Sequence, residues 1–124
     1  MNETGNNEKT VTRPLDQTGM KYVISIIKGK YKIPIICYLM LHGPTRYNEL
    51  KRQVDAATFS SLSKALKELE ADGLLLRQEY YEIPPRVEYS LSERGKALVP
   101  ILQSLCTWSN LNGPQAKQAE KKEL

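Results

Sequence analysis

Two adjacent prolines, Pro84 and Pro85, constrain the middle of this chain more than any other residues. Each fixes its own φ and pushes the residue before it into extended geometry, so Ile83 to Pro85 form a stiff segment that cannot collapse into a core. Beyond them Val87, Tyr89 and Leu91 alternate with Glu88 and Ser90, the period of a strand with one buried face. The partner strand is Leu74 to Tyr80, directly after a helical pattern that stops at Gly73. The predicted unit is a helix followed by a hairpin whose rigid tip presents Arg86.

Upstream, the apolar pattern is helical. Gly19 to Lys28 carries Met20, Val23, Ile24, Ile26 and Ile27, apolar on more than one face, as suits a helix packed against its own domain and a second chain. Gly29 breaks it. A second helix runs from about Tyr31 to Leu41, with Pro34 tolerated near its first turn and Gly43-Pro44 ending it. Tyr47 to Val54 forms a short helix with Tyr47, Leu50 and Val54 on one face, and residues 55–57 form the turn. Thr58 caps the next helix through its hydroxyl, which buries Leu62, Ala65, Leu66 and Leu69. After the hairpin Ser92 caps a long helix with an apolar seam of Leu98, Ile101, Leu102, Leu105, Trp108 and Leu111; Pro100 removes one hydrogen bond from it and is expected to kink it.

The order of these elements predicts an α+β, mostly α, winged helix-turn-helix with extra N- and C-terminal helices for dimerisation. In such a domain the second helix of the pair enters the DNA major groove and the hairpin lies beside it. Ser60, Ser61, Ser63, Lys64 and Lys67 are the candidate contacts on that helix, because small hydroxyls and lysines approach bases and phosphates where long acids would not. Arg86 on the wing, Lys30 beside Gly29 and Arg46 at the start of the short helix are candidate backbone contacts. Each has a plainer alternative: the helix face is solvated, and Arg86 pairs with Glu82 or Glu88 on its own hairpin. The expected dimer interface is Val23 and Ile27 from the first helix with Leu98, Ile101, Leu105 and Trp108 from the last.

Composition agrees with this reading without demanding it. The 124 residues suit one domain, over residues 18–112, flanked by polar tails at 1–17 and 113–124. The net charge of +4 is a mild lean toward polyanions. Cys37 and Cys106 lie in apolar stretches and read as small core residues in a reducing compartment, and no stretch has the length of a membrane span or the pattern of a signal peptide, which predicts a cytoplasmic protein. No enzymatic motif is present: His42 is the one histidine, at a helix end, and no metal spacing, phosphate loop or nucleophile signature accompanies it. No cofactor or metal is expected.

Four runs carry a resemblance: Lys28-Gly29-Lys30-Tyr31-Lys32, Arg46-Tyr47-Asn48-Glu49-Leu50, Leu62 to Leu74, and Pro84-Pro85-Arg86-Val87-Glu88-Tyr89-Ser90-Leu91, with Trp108 near the end. In this order they resemble the HxlR family of bacterial winged-helix regulators, relatives of the MarR type. The resemblance implies a homodimer built on the first and last helices, a recognition helix over Thr58 to Asp72 and a wing over Leu74 to Leu91. It further implies a transcriptional regulator that binds a palindromic operator in double-stranded DNA; the competing reading is a winged-helix module whose partner is a protein.

Three positions depart from the family's pattern. Tyr31 stands where a Trp is usual, Ala56-Ala57 replace a β-branched residue, and Thr18 occupies the position of the cysteine that oxidant-sensing members carry before the first helix. Thiol sensing at Thr18 is therefore not expected. A small-molecule effector is left open, with Tyr22, Tyr31, Tyr38 and Trp108 as aromatic surface for it or, by default, for core packing.

Overall fold

The structure, a computed structural model, describes residues 17–54 and 58–114. Its elements in chain order are α1 (Gln17–Ile27), α2 (Lys32–His42), β1 (Thr45–Arg46), α3 (Tyr47–Gln53), α4 (Phe59–Ala71), β2 (Leu75–Tyr80), β3 (Arg86–Leu91) and α5 (Glu93–Asn112). This is a winged helix-turn-helix. The expected tails lie outside the described residues, except that Gln17 opens α1 and Gly113 and Pro114 follow α5; the turn at 55–57 and Ala56-Ala57 also lie outside them.

Local chemistry sets the helix limits. Gly29, Gly43 and Gly73 all have positive φ, and the amide of Gly43 closes α2 by donating to the Leu39 carbonyl. At the end of α4, Leu74 N donates to Leu69 O at 2.9 Å and Gly73 N to Glu70 O at 3.0 Å, the paired bonds of a glycine-terminated helix. Pro34 is the third residue of α2, where an amide has no helical partner to lose, and the next amide, Ile35, bonds to Tyr31 O. Both expected caps form: Thr58 Oγ1 accepts from Ser61 N and Ser92 Oγ from Gly95 N, each at 3.0 Å. Helix α5 continues across Pro100 as one 20-residue element.

The three strands are antiparallel in the order β1-β3-β2. Pairing of Leu75 with Leu91 through Tyr80 with Arg86 makes the wing, and Thr45 opposite Tyr89 adds the short β1 to the other edge of β3. Tyr89 and Leu91 point into the core, as the alternation predicted. The core joins Ile35, Ile36, Leu50, Leu62, Leu66 and Leu69 from the helices to Leu74 and Leu75 at the base of the wing.

That base is tightly built. Ser92 Oγ donates to Gly73 O at 2.6 Å, Ser92 N to Leu74 O at 3.0 Å and Arg94 Nε to Asp72 O at 3.0 Å, so the start of α5 is bonded to the end of α4. Arg94 also reaches the Tyr22 hydroxyl on α1. Gly95 lets the two segments approach: a Cβ there would run into the Leu74 carbonyl oxygen.

The apolar seam of α5 divides. Leu98, Val99 and Leu102 are buried in the domain's own core, whereas every residue from Gln103 to Asn112 is exposed. Leu98 is therefore corrected from interface to core. On α1, Val23 and Ile27 are half-buried against that core, and the exposed apolar residues are Met20, Tyr22 and Ile24. Ile101, Leu105 and Trp108 are exposed in the single chain, joined by Leu111. Cys106, on the projecting half of α5, is exposed and Cys37 is half-buried, so neither is a core thiol. Thr18 lies in the first turn of α1. Among the described residues no helix is long and apolar enough to cross a membrane.

Candidate nucleic-acid interface

Helices α3 and α4 meet through one aromatic residue. The Tyr47 hydroxyl donates to the Phe59 carbonyl at 3.3 Å and lies 3.2 Å from Ser63 Oγ, while its ring meets that of Phe59 edge to face at 5.5 Å. A second clamp acts from below: Lys32, almost fully buried at the start of α2, places Nζ 2.9 Å from Glu68 Oε1 on α4. The hydrogen bond from Lys32, and then its charge, hold the Glu68 carboxyl below the ordinary carboxylate range. Lys32 thus fastens α2 to α4.

With α4 held this way, Ser60, Lys64 and Lys67 are exposed. Ser61 and Ser63 are half-buried and engaged: Thr58 Oγ1 donates to Ser61 Oγ at 2.8 Å, and Ser63 meets Tyr47. Phe59, also exposed, adds an apolar side chain at the entry of α4 that sequence periodicity did not single out; a thymine methyl is the base-edge feature such a ring contacts.

The candidate residues other than Ser60 fall in three neighbouring depressions. Lys30, Lys64 and Ser61 line a cleft of about 630 Å³ between the α1–α2 loop and α4, with Lys28 on the same rim. Ser63 and Lys67 line one of about 480 Å³ between α4 and the wing, with Phe59 and Arg77. Arg46 and Arg86 belong to the largest, about 1000 Å³, between the wing and α3. This third depression also holds Tyr38, whose hydroxyl donates to Glu49 Oε2 at 3.3 Å and whose ring stacks on His42. Burial, then the Glu49 charge and hydrogen bond, push the Tyr38 hydroxyl above its ordinary value, so it stays a protonated donor.

The wing corrects one expectation. Arg86 is not held out on the tip: its side chain is 26% exposed, Nη1 donates to Glu82 Oε1 at 2.8 Å, and the guanidinium lies 3.9 Å from the centre of the Tyr80 ring. Its buried Nε lies 3.5 Å from Glu88 Oε2, at ion-pair distance but without hydrogen-bond geometry. Arg77 is similarly paired with Glu79 at 2.6 Å. With two arginines against Glu79, Glu82 and Glu88, the hairpin is acidic by one charge, and its exposed tip consists of Tyr81, Glu82, Ile83, Pro84 and Pro85.

Known proteins share this arrangement. The profile described as HxlR-like helix-turn-helix matches residues 26–117. The HTH-type transcriptional regulator BH0655 of Halalkalibacterium halodurans is 46% identical over 104 residues, covering 84% of this chain and 92% of that protein. Among solved structures, a MarR-family transcriptional regulator from Enterococcus faecalis superposes with a TM-score of 0.74 at 36% identity, covering 91% of this chain and 97% of the other. The redox regulator HypR in its reduced form superposes with a TM-score of 0.73 at 34% identity, covering 81% and 98%. The profile match over three quarters of its length, together with these likenesses in sequence and fold, shows that this chain belongs to the HxlR-like helix-turn-helix family of winged-helix transcriptional regulators.

Proposed function

We propose that the protein acts in the cytoplasm as a homodimer that binds a palindromic DNA operator sequence-specifically, and that it regulates transcription without catalysis. The observation that carries this reading is the exposed Ser60, Lys64 and Lys67 face of a capped, doubly clamped helix, with Lys30 across the adjoining cleft. A rigid helix that offers hydroxyls and ammonium groups, with Glu68, one of its two acids, tied back to Lys32, is suited to a phosphate-lined groove. In this reading α4 supplies base contacts, and Lys30, Arg46 and the wing supply contacts to the backbone.

The second copy follows from α5. Ten residues, Gln103 to Asn112, project from the domain without cover, a length of about 15 Å that an isolated helix does not sustain in water. Ile101, Leu105 and Trp108 fall on one stripe of it, and Met20 and Ile24 on α1 supply more apolar surface. A twofold-related copy that buries this stripe presents two α4 helices to successive turns of the major groove.

HypR carries the name of a redox regulator; the thiols this chain offers to such chemistry are Cys37 and Cys106, because Thr18 has none. The functional proposal is tested by incubating the protein with a random duplex pool and sequencing the retained DNA. An inverted repeat with half-sites about 10 base pairs apart, centre to centre, or a multiple of that, is expected. Recovery of no enriched sequence, or of a single undivided half-site, contradicts it.

A further inference from the structure

Helices α2 and α5 flank a solvent-open cavity of about 170 Å³, lined by Cys37 and Met40 from α2 and Cys106 from α5. Cys37 and Met40 are three residues apart and so share one face of α2. The rest of the lining is apolar apart from Gln103: Ile36, Leu41, Val99 and Leu102. Cys37 and Cys106 therefore line the same cavity from its two helical walls. No carboxylate, imidazole or ammonium group lines the cavity.

Among the described residues no three His, Cys, Asp or Glu side chains are grouped to hold a metal, and the donor set here enters through a thioether. Two thiols and one thioether are soft, polarisable donors. They suit a soft d¹⁰ cation of low coordination number, and they offer neither the oxygens that harder ions require nor the fourth ligand of a structural zinc site. We propose that Cys37, Met40 and Cys106 form a three-sulfur site for a cuprous ion, bridging α2 and α5. On binding, each thiol gives up its proton to solvent and forms a sulfur–copper bond, the Met40 thioether donates a lone pair, and no electron is transferred. Exposed Cys106 gives the ion a way in, and half-buried Cys37 with the surrounding aliphatic side chains limits its hydration. The bridge would link the helix that leads into β1 and α3 to the helix that projects toward a second copy.

The test uses the full chain, reduced with a thiol-free phosphine under anaerobic conditions and titrated with the cuprous–bicinchoninate complex. Transfer of one ion per chain is expected, with three sulfur neighbours in the X-ray absorption spectrum. Cys37→Ser and Cys106→Ser should each fail to strip the complex while keeping the wild-type circular dichroism spectrum. Met40→Leu, which conserves volume, should still take up copper but lose it to excess bicinchoninate that the wild-type protein resists. No transfer to wild-type protein, equal transfer to the Cys37→Ser/Cys106→Ser double variant, retention unchanged in Met40→Leu, or one ion shared by two chains would each overturn the proposal. None of these readouts depends on DNA binding, so failure here leaves the operator reading untouched, and the reverse also holds.

Discussion

Replacing both Glu82 and Glu88 by glutamine is expected to tighten DNA binding. In the structure these carboxylates hold the Arg86 guanidinium at 2.8 and 3.5 Å against the Tyr80 ring and leave the hairpin with more acid than base. A carboxylate about 8 Å from a phosphate opposes binding by about 0.5 kcal/mol in water, and screening at physiological salt reduces this to about 0.2 kcal/mol. In the proposed dimer four such charges are removed. The gain is then about 2 kcal/mol at low salt, about 30-fold in affinity, and about fourfold near 0.15 M ionic strength. Release of Arg86 adds up to one phosphate contact per wing, steepening the dependence of log affinity on log salt by about 0.9 for each. Surface pairs of this kind contribute little to stability, so the variant should fold normally. Fluorescence anisotropy with a labelled operator, repeated over a salt series, measures both effects, and adding Arg86→Ala should remove the steeper slope. Unchanged or weaker binding by the double variant would refute the idea that the wing's own acids restrain Arg86.

Other consequences are equally direct. Gly95→Ala places a methyl group against the backbone of Leu74, which cannot step aside; the strain of about 1–3 kcal/mol outweighs the gain of up to about 1 kcal/mol in helix propensity, and thermal unfolding should shift down by several degrees. Folding lowers the Glu68 pKa from its ordinary 4.5, so this carboxylate's contribution to stability is present in full above that value and is lost as pH falls through the lower folded value; Glu68→Gln should flatten the acid limb of a stability–pH profile measured by urea unfolding. Leu105→Glu, on the projecting part of α5, should yield monomers in light scattering with the winged-helix spectrum retained, whereas Leu98→Ala should cost about 2–5 kcal/mol of stability because its side chain fills the core. Lys64→Ala should weaken binding to the selected operator more than to scrambled DNA, and equal losses on both would remove Lys64 from sequence readout.

Much of this architecture was legible in the sequence because it is set by short-range rules. Thr58 and Ser92 cap as their hydroxyls dictate, Gly73 ends α4, and the alternation of Val87, Tyr89 and Leu91 gave the inward face of β3. What escaped depends on contacts distant in the chain. Two residues, Thr45 and Arg46, are too few to show a period, so β1 became visible only through its pairing with Tyr89 and Glu88. The seam from Leu98 to Trp108 has one helical period throughout, yet the domain covers only its first part; periodicity reveals an apolar face but not what lies on it. The same gap hid the exposure of Cys106. No local pattern joins Lys32 to Glu68 on α4, and Arg86 looked like an exposed point until the hairpin folded Glu82 and Tyr80 around it.

The salt dependence of binding to the selected operator, with the number of chains per duplex measured in the same samples, tests the central claim most directly. A dimer whose Lys30, Arg46, Lys64 and Lys67 lie along two half-sites should bind as two chains per duplex, with log affinity falling linearly and steeply against log salt, by roughly 0.9 for each phosphate neutralised. A slope near zero, as expected where the α4 face docks a protein instead, or one chain per duplex at saturation, would contradict it.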